Sequence, residues 1–313
     1  MIAILGAGAF GTAMGIALAR SHDVALVARR GAEAMARTRR SVGPLEGLRL
    51  PEHLEPVDAL PAGDFPVLVA VPTQHLRAAL EANAELLSDR PVVALCKGIE
   101  RGTLAGPTAV VRAAVPSARP AVLSGPSFAA DIAKGLPTAL TIAAEDGAEA
   151  LREALSAPTI RLYSSADVVG VELGGALKNV TAIACGVAVG AGLGESARAA
   201  LLTRGFAETT RLAQAMGAEA RTLTGLSGLG DLALTCGSAL SRNLRHGLAL
   251  GRGERPEEGV TVEGASTAQA CVEIARDNDI EMPIAETVAA LVGGSLTVPD
   301  ALRRLMGRPP KEE

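Results

Sequence analysis

The sequence predicts a doubly wound α/β sheet of the Rossmann type followed by an all-helical C-terminal domain. Three observations carry this. A glycine turn stands between a short apolar run and a helix at the N-terminus; apolar runs alternate with helical stretches to about residue 165; and strand signals stop at Asp167. With 313 residues the chain exceeds what one core usually holds, so two domains are expected, 1–166 binding a dinucleotide and 167–313 binding substrate and carrying catalysis.

Ile2–Leu5 reads as the first strand, and Gly6-Ala7-Gly8-Ala9-Phe10-Gly11 as the turn into a helix that runs to Arg20. Gly6 permits the turn, Gly8 lets backbone approach a pyrophosphate, Gly11 lets the helix pack close, and the helix's free amides face the anion. Val24–Ala28 is the second strand and completes a βαβ unit. Arg29 and Arg30 follow, where a fold that prefers NAD places an acidic residue on the ribose, so the basic pair favours NADPH over NADH. Ala32 to Arg40 is helical, and Arg37, Arg39 and Arg40 read equally well as a solvated face or as phosphate ligands.

Phe65–Pro72 is a buried strand with a helix from Thr73 to Leu87, and Pro91–Leu95 is a strand that delivers Cys96-Lys97-Gly98 at its carboxyl end, where open parallel sheets bind ligands. Ala121–Leu123 empties into Ser124-Gly125-Pro126-Ser127-Phe128-Ala129, a turn before a helix start. Thr138–Ala143 and Thr159–Tyr163 are further strands about an acidic, alanine-rich helix. Beyond Asp167, helices are expected over Val168–Ala191, Ser196–Met216, Ser241–Leu250, Ser266–Asp277, Ile284–Leu291 and Pro299–Leu305, with a disordered tail from Arg308 to Glu313.

Composition narrows the function. The chain has one Tyr, four Phe and no Trp, so stacking platforms for nucleic acid have little to be built from. A net charge of −4 without a basic block implies neither a polyanion nor an anionic membrane as partner. The uncharged start lacks a basic n-region, and Asn179–Gly194 is too short to span a bilayer, so a soluble, cytoplasmic protein is expected. Cys96, Cys185, Cys236 and Cys271 form no C-x-x-C and the histidines no H-E-x-x-H, so reduced thiols are expected and no metal site.

Lys178 sits among small and apolar residues just past the expected boundary, and Gly174 and Gly175, one turn earlier, each cost the helix about 1 kcal/mol and so call for a packing or ligand reason. A lysine there is desolvated and becomes able to exchange a proton near neutral pH; a lysine snorkelling from a packed helix is the alternative. Ser241-Arg242-Asn243 places an N-cap hydroxyl, a guanidinium and a carboxamide at a helix start, which suits an anion as well as it suits plain capping. Asp231 in Gly228-Leu229-Gly230-Asp231 is expected on a flexible turn.

In combination with Thr203-Arg204-Gly205, Thr235-Cys236 and Val262-Glu263-Gly264, these stretches resemble, in order, the signatures of bacterial NAD(P)-dependent sn-glycerol-3-phosphate dehydrogenases. The resemblance implies interconversion of dihydroxyacetone phosphate and sn-glycerol 3-phosphate with NADPH or NADH, supplying glycerol 3-phosphate for phospholipid synthesis. It implies Lys178 as the proton-transfer residue and Lys97, Gly125, Ser127, Lys178, Asp231, Ser241, Arg242 and Asn243 as substrate contacts. It implies Ala9, Phe10, Arg29, Ala129 and Glu263 on the cofactor, joined in our expectation by Gly6, Gly8, Gly11, Arg30, Lys97 and Arg242. Ser41–Leu48 departs from the family pattern on the adenine side, and Ser127 stands where relatives more often have threonine. The rival readings are a 2-hydroxyacid or ketopantoate-type reductase of the same architecture and a non-catalytic dinucleotide sensor. A homodimer is one open option for assembly.

Overall fold

The computed structural model describes residues 1–257, 259 and 261–306, so the expected tail Arg308–Glu313 lies outside the described residues. The chain divides into two compact units, Met1–Lys97 with Ala105–Glu172, and Gly98–Leu104 with the chain from Leu173 onward.

The first unit is built on strands β1 (Ile2–Leu5), β2 (Val24–Val27), β3 (Leu54–Val57), β4 (Val67–Val69), β5 (Pro91–Ala94), β6 (Arg119–Ser124), β7 (Thr138–Ala143) and β8 (Ile160–Ser165). Between them run α1 (Ala9–Leu18), α2 (Ala32–Thr38), α3 (Leu76–Glu81), α4 (Ala84–Leu87), α5 (Pro107–Ala114), α6 (Ala129–Ala133) and α7 (Ala148–Ala154). The strands form one sheet in the order β3-β2-β1-β4-β5-β6-β7-β8. All neighbours are parallel except β6 and β7, because the chain leaves β6, makes only the five-residue α6, and returns along the same edge. The doubly wound fold is thus borne out, with its last two strands reversed.

Side-chain alternation sends each strand into two cores. Ile2, Ile4, Leu26, Leu68, Val93 and Leu123 pack with Met14 and Leu18 of α1 and Leu151 of α7 on one face. Ala3, Leu5, Val67, Val69 and Val92 pack with Leu80 of α3 and Val110 of α5 on the other. Burying each such Leu, Ile or Val contributes about 1.5–3 kcal/mol, which holds the carboxyl ends of β1, β5 and β6 in register for the site.

Three local readings change. The helix expected over Thr73–Leu87 is a 3₁₀ turn, α3 and α4, broken at Ala82-Asn83. Neither β3, whose Pro56 stands on the outer edge of the strand, nor α5 was signalled in the sequence. Arg39 and Arg40 are tied to their own loop: Arg39 bonds Pro51 O and pairs with Glu55 at 3.5 Å, and Arg40 donates to Gly47 O at 2.6 Å. The atypical Ser41–Leu48 stretch is an ordered turn closed by the buried Ser41, which accepts from Leu48 N at 3.0 Å.

Helix α8 (Val168–Gly190) carries the chain from one unit to the next. Its most apolar window has a mean hydropathy of 1.4 and is 89 % buried, which makes it a core helix. The second unit continues with α9 (Gly194–Ala215), α10 (Ala220–Leu223), α11 (Asp231–Gly237), α12 (Arg242–Gly251), α13 (Glu263–Asp277), α14 (Pro283–Val292) and α15 (Val298–Met306). A π-helical turn, Leu226–Gly230, leads directly into α11, so Asp231 begins a helix; the flexible turn expected from its glycines is absent.

Candidate active site

In the first unit the glycine turn has the shape a dinucleotide needs. Gly6 has φ +115°, and a β-carbon there would come 2.7 Å from Ala70 O, so neither its conformation nor its surroundings admit a side chain. Gly11 is closed the same way by Gly6 O and Ala70. A β-carbon at Gly8, the N-cap of α1, would meet nothing within 4 Å. The open ground therefore lies directly before the free amides of α1, whose first turn carries no acidic residue, and a pyrophosphate fits there.

Around this turn the carboxyl ends of β5 and β6 bring further predicted residues together. Lys97 donates to Gly125 O at 2.8 Å, and its Nζ stands 6.0 Å from the centroid of the Phe10 ring. Ser127 donates to the same carbonyl at 3.1 Å, two residues before Ala129 opens α6. Arg29 and Arg30 are exposed after β2, and neither forms an ion pair among the described residues. Both guanidinium groups are thus available to a phosphate at the end of the strand that flanks β1.

In the second unit Lys178 is 7 % exposed and Asp231 fully buried. Lys178 Nζ donates to Asp231 Oδ1 at 2.6 Å and to Thr235 Oγ1 at 2.8 Å, and Thr235 donates to Asp231 at 3.3 Å. The carboxylate offsets the cost of burying the ammonium, and two acceptors fix its direction. Gly174, a turn before Lys178, has a packing reason: a β-carbon there would lie 2.8 Å from Ser227 O, so its absence lets α8 lie against the π-helical turn that places Asp231.

Ser241 caps α12 as its sequence suggests, accepting from Leu244 N at 3.2 Å, and Arg242 is exposed at the first position of that helix. Asn243 is turned inward. Its amide donates to Asn179 Oδ1 at 2.8 Å and accepts from Gly264 N at 3.0 Å, so it braces α8 against the start of α13 beside Glu263.

Two groups with structural roles lie on the same stretches. Burial pushes the Glu172 carboxyl up to about 7, although it accepts the Thr108 amide of α5 at 2.6 Å. A hydrogen bond with Cys185, together with burial, holds the Cys236 thiol well above its ordinary range, which leaves it a poor nucleophile. The chemistry this unit offers is therefore proton transfer from an ammonium.

Sequence reasoning gave no role to Thr235 or Asn179. The spacing held a signal for Thr235, since Asp231 and Thr235 are four apart and share one face of α11.

The comparisons agree with this chemistry. Residues 1–150 match the family model for the NAD-dependent glycerol-3-phosphate dehydrogenase N-terminus, and residues 167–303 match that for its C-terminus. The chain is 53 % identical over 316 residues to a glycerol-3-phosphate dehydrogenase [NAD(P)+] of Cereibacter sphaeroides, covering 100 % of both chains. It is 52 % identical over 319 residues to one of Ruegeria sp., covering 100 % of this chain and 99 % of that one. The crystal structure of glycerol-3-phosphate dehydrogenase from Coxiella burnetii superposes with a TM-score of 0.91 at 35 % identity, over 98 % of each chain. Two fitting domain models in the right order, with full-length relatives, place the chain in the NAD-dependent glycerol-3-phosphate dehydrogenase family.

Proposed function

We propose that this protein is an oxidoreductase that interconverts dihydroxyacetone phosphate and sn-glycerol 3-phosphate with NADH or NADPH. The observation that carries the reading is the buried Lys178–Asp231–Thr235 cluster, a directed ammonium in a chain that also holds an intact dinucleotide turn.

The nicotinamide, when bound, supplies the hydride. Gly6, Gly8, Ala9, Phe10 and Gly11 hold its pyrophosphate side, Arg29 and Arg30 the adenosine ribose, and Ala129, Arg242 and Glu263 complete the proposed cofactor contacts. As C2 of the ketone is reduced, its oxygen takes a proton from Lys178 Nζ, which is left as a neutral amine and is reprotonated from solvent. In the reverse direction the amine removes the proton from the C2 hydroxyl. Asp231 and Thr235 keep the donor aimed, and their hydrogen bonds are in place before charge develops on the oxygen. Ser241 and Arg242 at the start of α12 take the phosphate, with Lys97, Gly125 and Ser127 as the first unit's substrate contacts. Asn243 acts through Asn179, the neighbour of Lys178, and is a positioning residue in this scheme. The four free, buried cysteines suit a reducing compartment, which supports a cytosolic enzyme.

The test is loss of reduced-nicotinamide absorbance when dihydroxyacetone phosphate is added to the purified protein with NADPH or NADH. Turnover of the phosphate ester, with none of unphosphorylated dihydroxyacetone or short 2-ketoacids, supports the reading. Faster turnover of a 2-ketoacid overturns it in favour of the ketopantoate-type rival, and binding without turnover of any of these favours the sensor.

A further inference from the structure

The two acceptors that aim Lys178 stand on a helix of only seven residues. Asp231 opens α11 and Thr235 lies one turn on, so both depend on how the ends of Asp231–Gly237 are held. Main chain fixes the amino end: the π-helical turn Leu226–Gly230 runs straight into it, and Gly174 of α8 packs against Ser227 O. The carboxyl end has no such support. In α9, α10, α12, α13 and α14 a backbone N–H just past the helix returns to a carbonyl of the last turn. Ser238, which follows α11, is extended at φ −131° and ψ 132° and sends no such bond back among the described residues. Carbonyls left open at a helix end need another donor.

A side chain of α9 supplies one. Arg198 Nη1 donates to Cys236 O at 3.3 Å, and a β-carbon at Gly237 would lie 3.8 Å from the same nitrogen, so the guanidinium sits across the end of α11. Cys236 directly follows Thr235, whose hydroxyl accepts from Lys178 Nζ. Arg198 is itself fixed from two sides. Glu195, one turn earlier on α9, accepts from its Nε at 2.5 Å, and the Cys185 thiol of α8 donates to its carbonyl at 3.5 Å. Because Cys185 also hydrogen-bonds with Cys236, the three helices close a circuit, α8 to α9 to α11 and back, about two turns along α8 from Lys178.

We propose that Arg198 is a positioning residue of the reaction: by closing the carboxyl end of α11 it holds Thr235 and Asp231 on Lys178 Nζ, and so sets the aim of the proton donor. The inference rests on Lys178 being that donor. A cation suits the place on two counts, since it satisfies a carbonyl that the helix leaves open and its charge complements the negative end of the helix dipole. Arg198 acts only through α11.

The experiment compares Arg198→Met, which keeps the stem and removes the donors, with Arg198→Lys, which keeps a cation, each in the wild-type and Lys178→Met backgrounds. Circular dichroism and thermal melting check folding, and fluorescence titration gives NADPH affinity. The Arg198 side chain is 26 % exposed, so neither change opens the core. Arg198→Met should lower kcat about tenfold, the scale of one lost charge-assisted bond, while KM for dihydroxyacetone phosphate and Kd for NADPH stay within about twofold. Arg198→Lys should regain most of kcat. Glu195→Ala, at an exposed residue, frees the guanidinium and should lower kcat about twofold, again without moving KM. In the Lys178→Met background Arg198→Met should leave the residual turnover unchanged, because no donor remains to be aimed. A purely structural role would instead lower turnover in both backgrounds. Unchanged kcat in both Arg198→Met and Glu195→Ala, a loss that falls on KM or NADPH affinity, or an equal loss in the Lys178→Met background would each overturn the inference while Lys178 keeps its role. Wild-type turnover in Lys178→Met would overturn the proton-transfer reading itself, and this inference with it.

Discussion

Lys178 and Asp231 meet at 2.6 Å with side chains only 9 % and 1 % exposed, so a full ion pair is held almost out of water in the helical unit. A pair of this kind seldom adds net stability, yet losing one member is costly, because the other is left buried and uncompensated. The pair therefore needs a use beyond holding the fold, and proton transfer supplies one.

Replacing the proton donor separates the two roles. Lys178→Met should lower kcat by about 10²-fold or more and leave NADPH affinity nearly unchanged. It should also destabilise the protein by about 3–5 kcal/mol through the orphaned carboxylate. Adding Asp231→Asn should recover much of that stability and none of the activity. Denaturant titration beside steady-state kinetics gives both readings; recovery of turnover in the double variant would remove Lys178 from the chemistry.

Arg242 is exposed at the head of α12 beside the capping Ser241. Arg242→Ala should weaken binding of dihydroxyacetone phosphate by about 1.5–3 kcal/mol, the range for a charge-assisted bond. The loss in kcat/KM for the phosphate ester should far exceed that for free dihydroxyacetone. Equal losses on both substrates would move the phosphate to another site.

Cofactor choice rests on Arg29 and Arg30, which face solvent with no carboxylate paired to them among the described residues. Guanidinium groups there attract a 2′-phosphate, so kcat/KM should be higher with NADPH than with NADH. Arg29→Ala/Arg30→Ala should bring the two cofactors toward equality, with a smaller effect at raised salt because the groups are exposed. An unchanged cofactor ratio in the double variant defeats the assignment.

Glu172 gives the stability a pH dependence of defined sign. Its carboxyl titrates at about 7 in the folded protein against an ordinary 4.5, so the folded state binds the proton more tightly than the unfolded chain. The contribution is complete below about pH 4.5 and is lost as pH rises through 7, a swing on the order of 3 kcal/mol. Glu172→Gln, which cannot ionise, should be more stable relative to wild type at pH 8 than at pH 5. Chemical denaturation of both proteins at the two pH values measures the difference, and a constant gap between them contradicts it.

The sequence made the dinucleotide turn legible because its constraint is local: Gly6, Gly8 and Gly11 answer to a single bend between one strand and one helix. Lys178 was legible for a similar reason, a charge stranded among small residues. What holds Lys178 was harder to read. The glycines before Asp231 signal a turn by propensity, and only packing against α8 winds Leu226–Gly230 into a π-helical turn and buries the carboxylate. Asn243 shows a different limit: a carboxamide at a helix start suits an anion by chemistry, but its bonds to Asn179 and Gly264, both distant in sequence, come only from packing. β3 was missed because four residues with a proline carry no period to detect.

The crossing of α8 and α12 has a consequence of another sort. A β-carbon at Gly247 would lie 3.0 Å from the Gly186 Cα, and one at Gly251 would lie 3.0 Å from the Gly190 Cα, so the two helices touch main chain to main chain. Where side chains mediate a contact, a lost methyl on one partner can be made good by a gained one on the other, and a lineage can wander through many combinations of equal volume. No such trade exists for a hydrogen atom. This crossing is consequently a place where descent has almost no neutral paths, while the aliphatic faces of the sheet remain free to exchange Val, Ile and Leu.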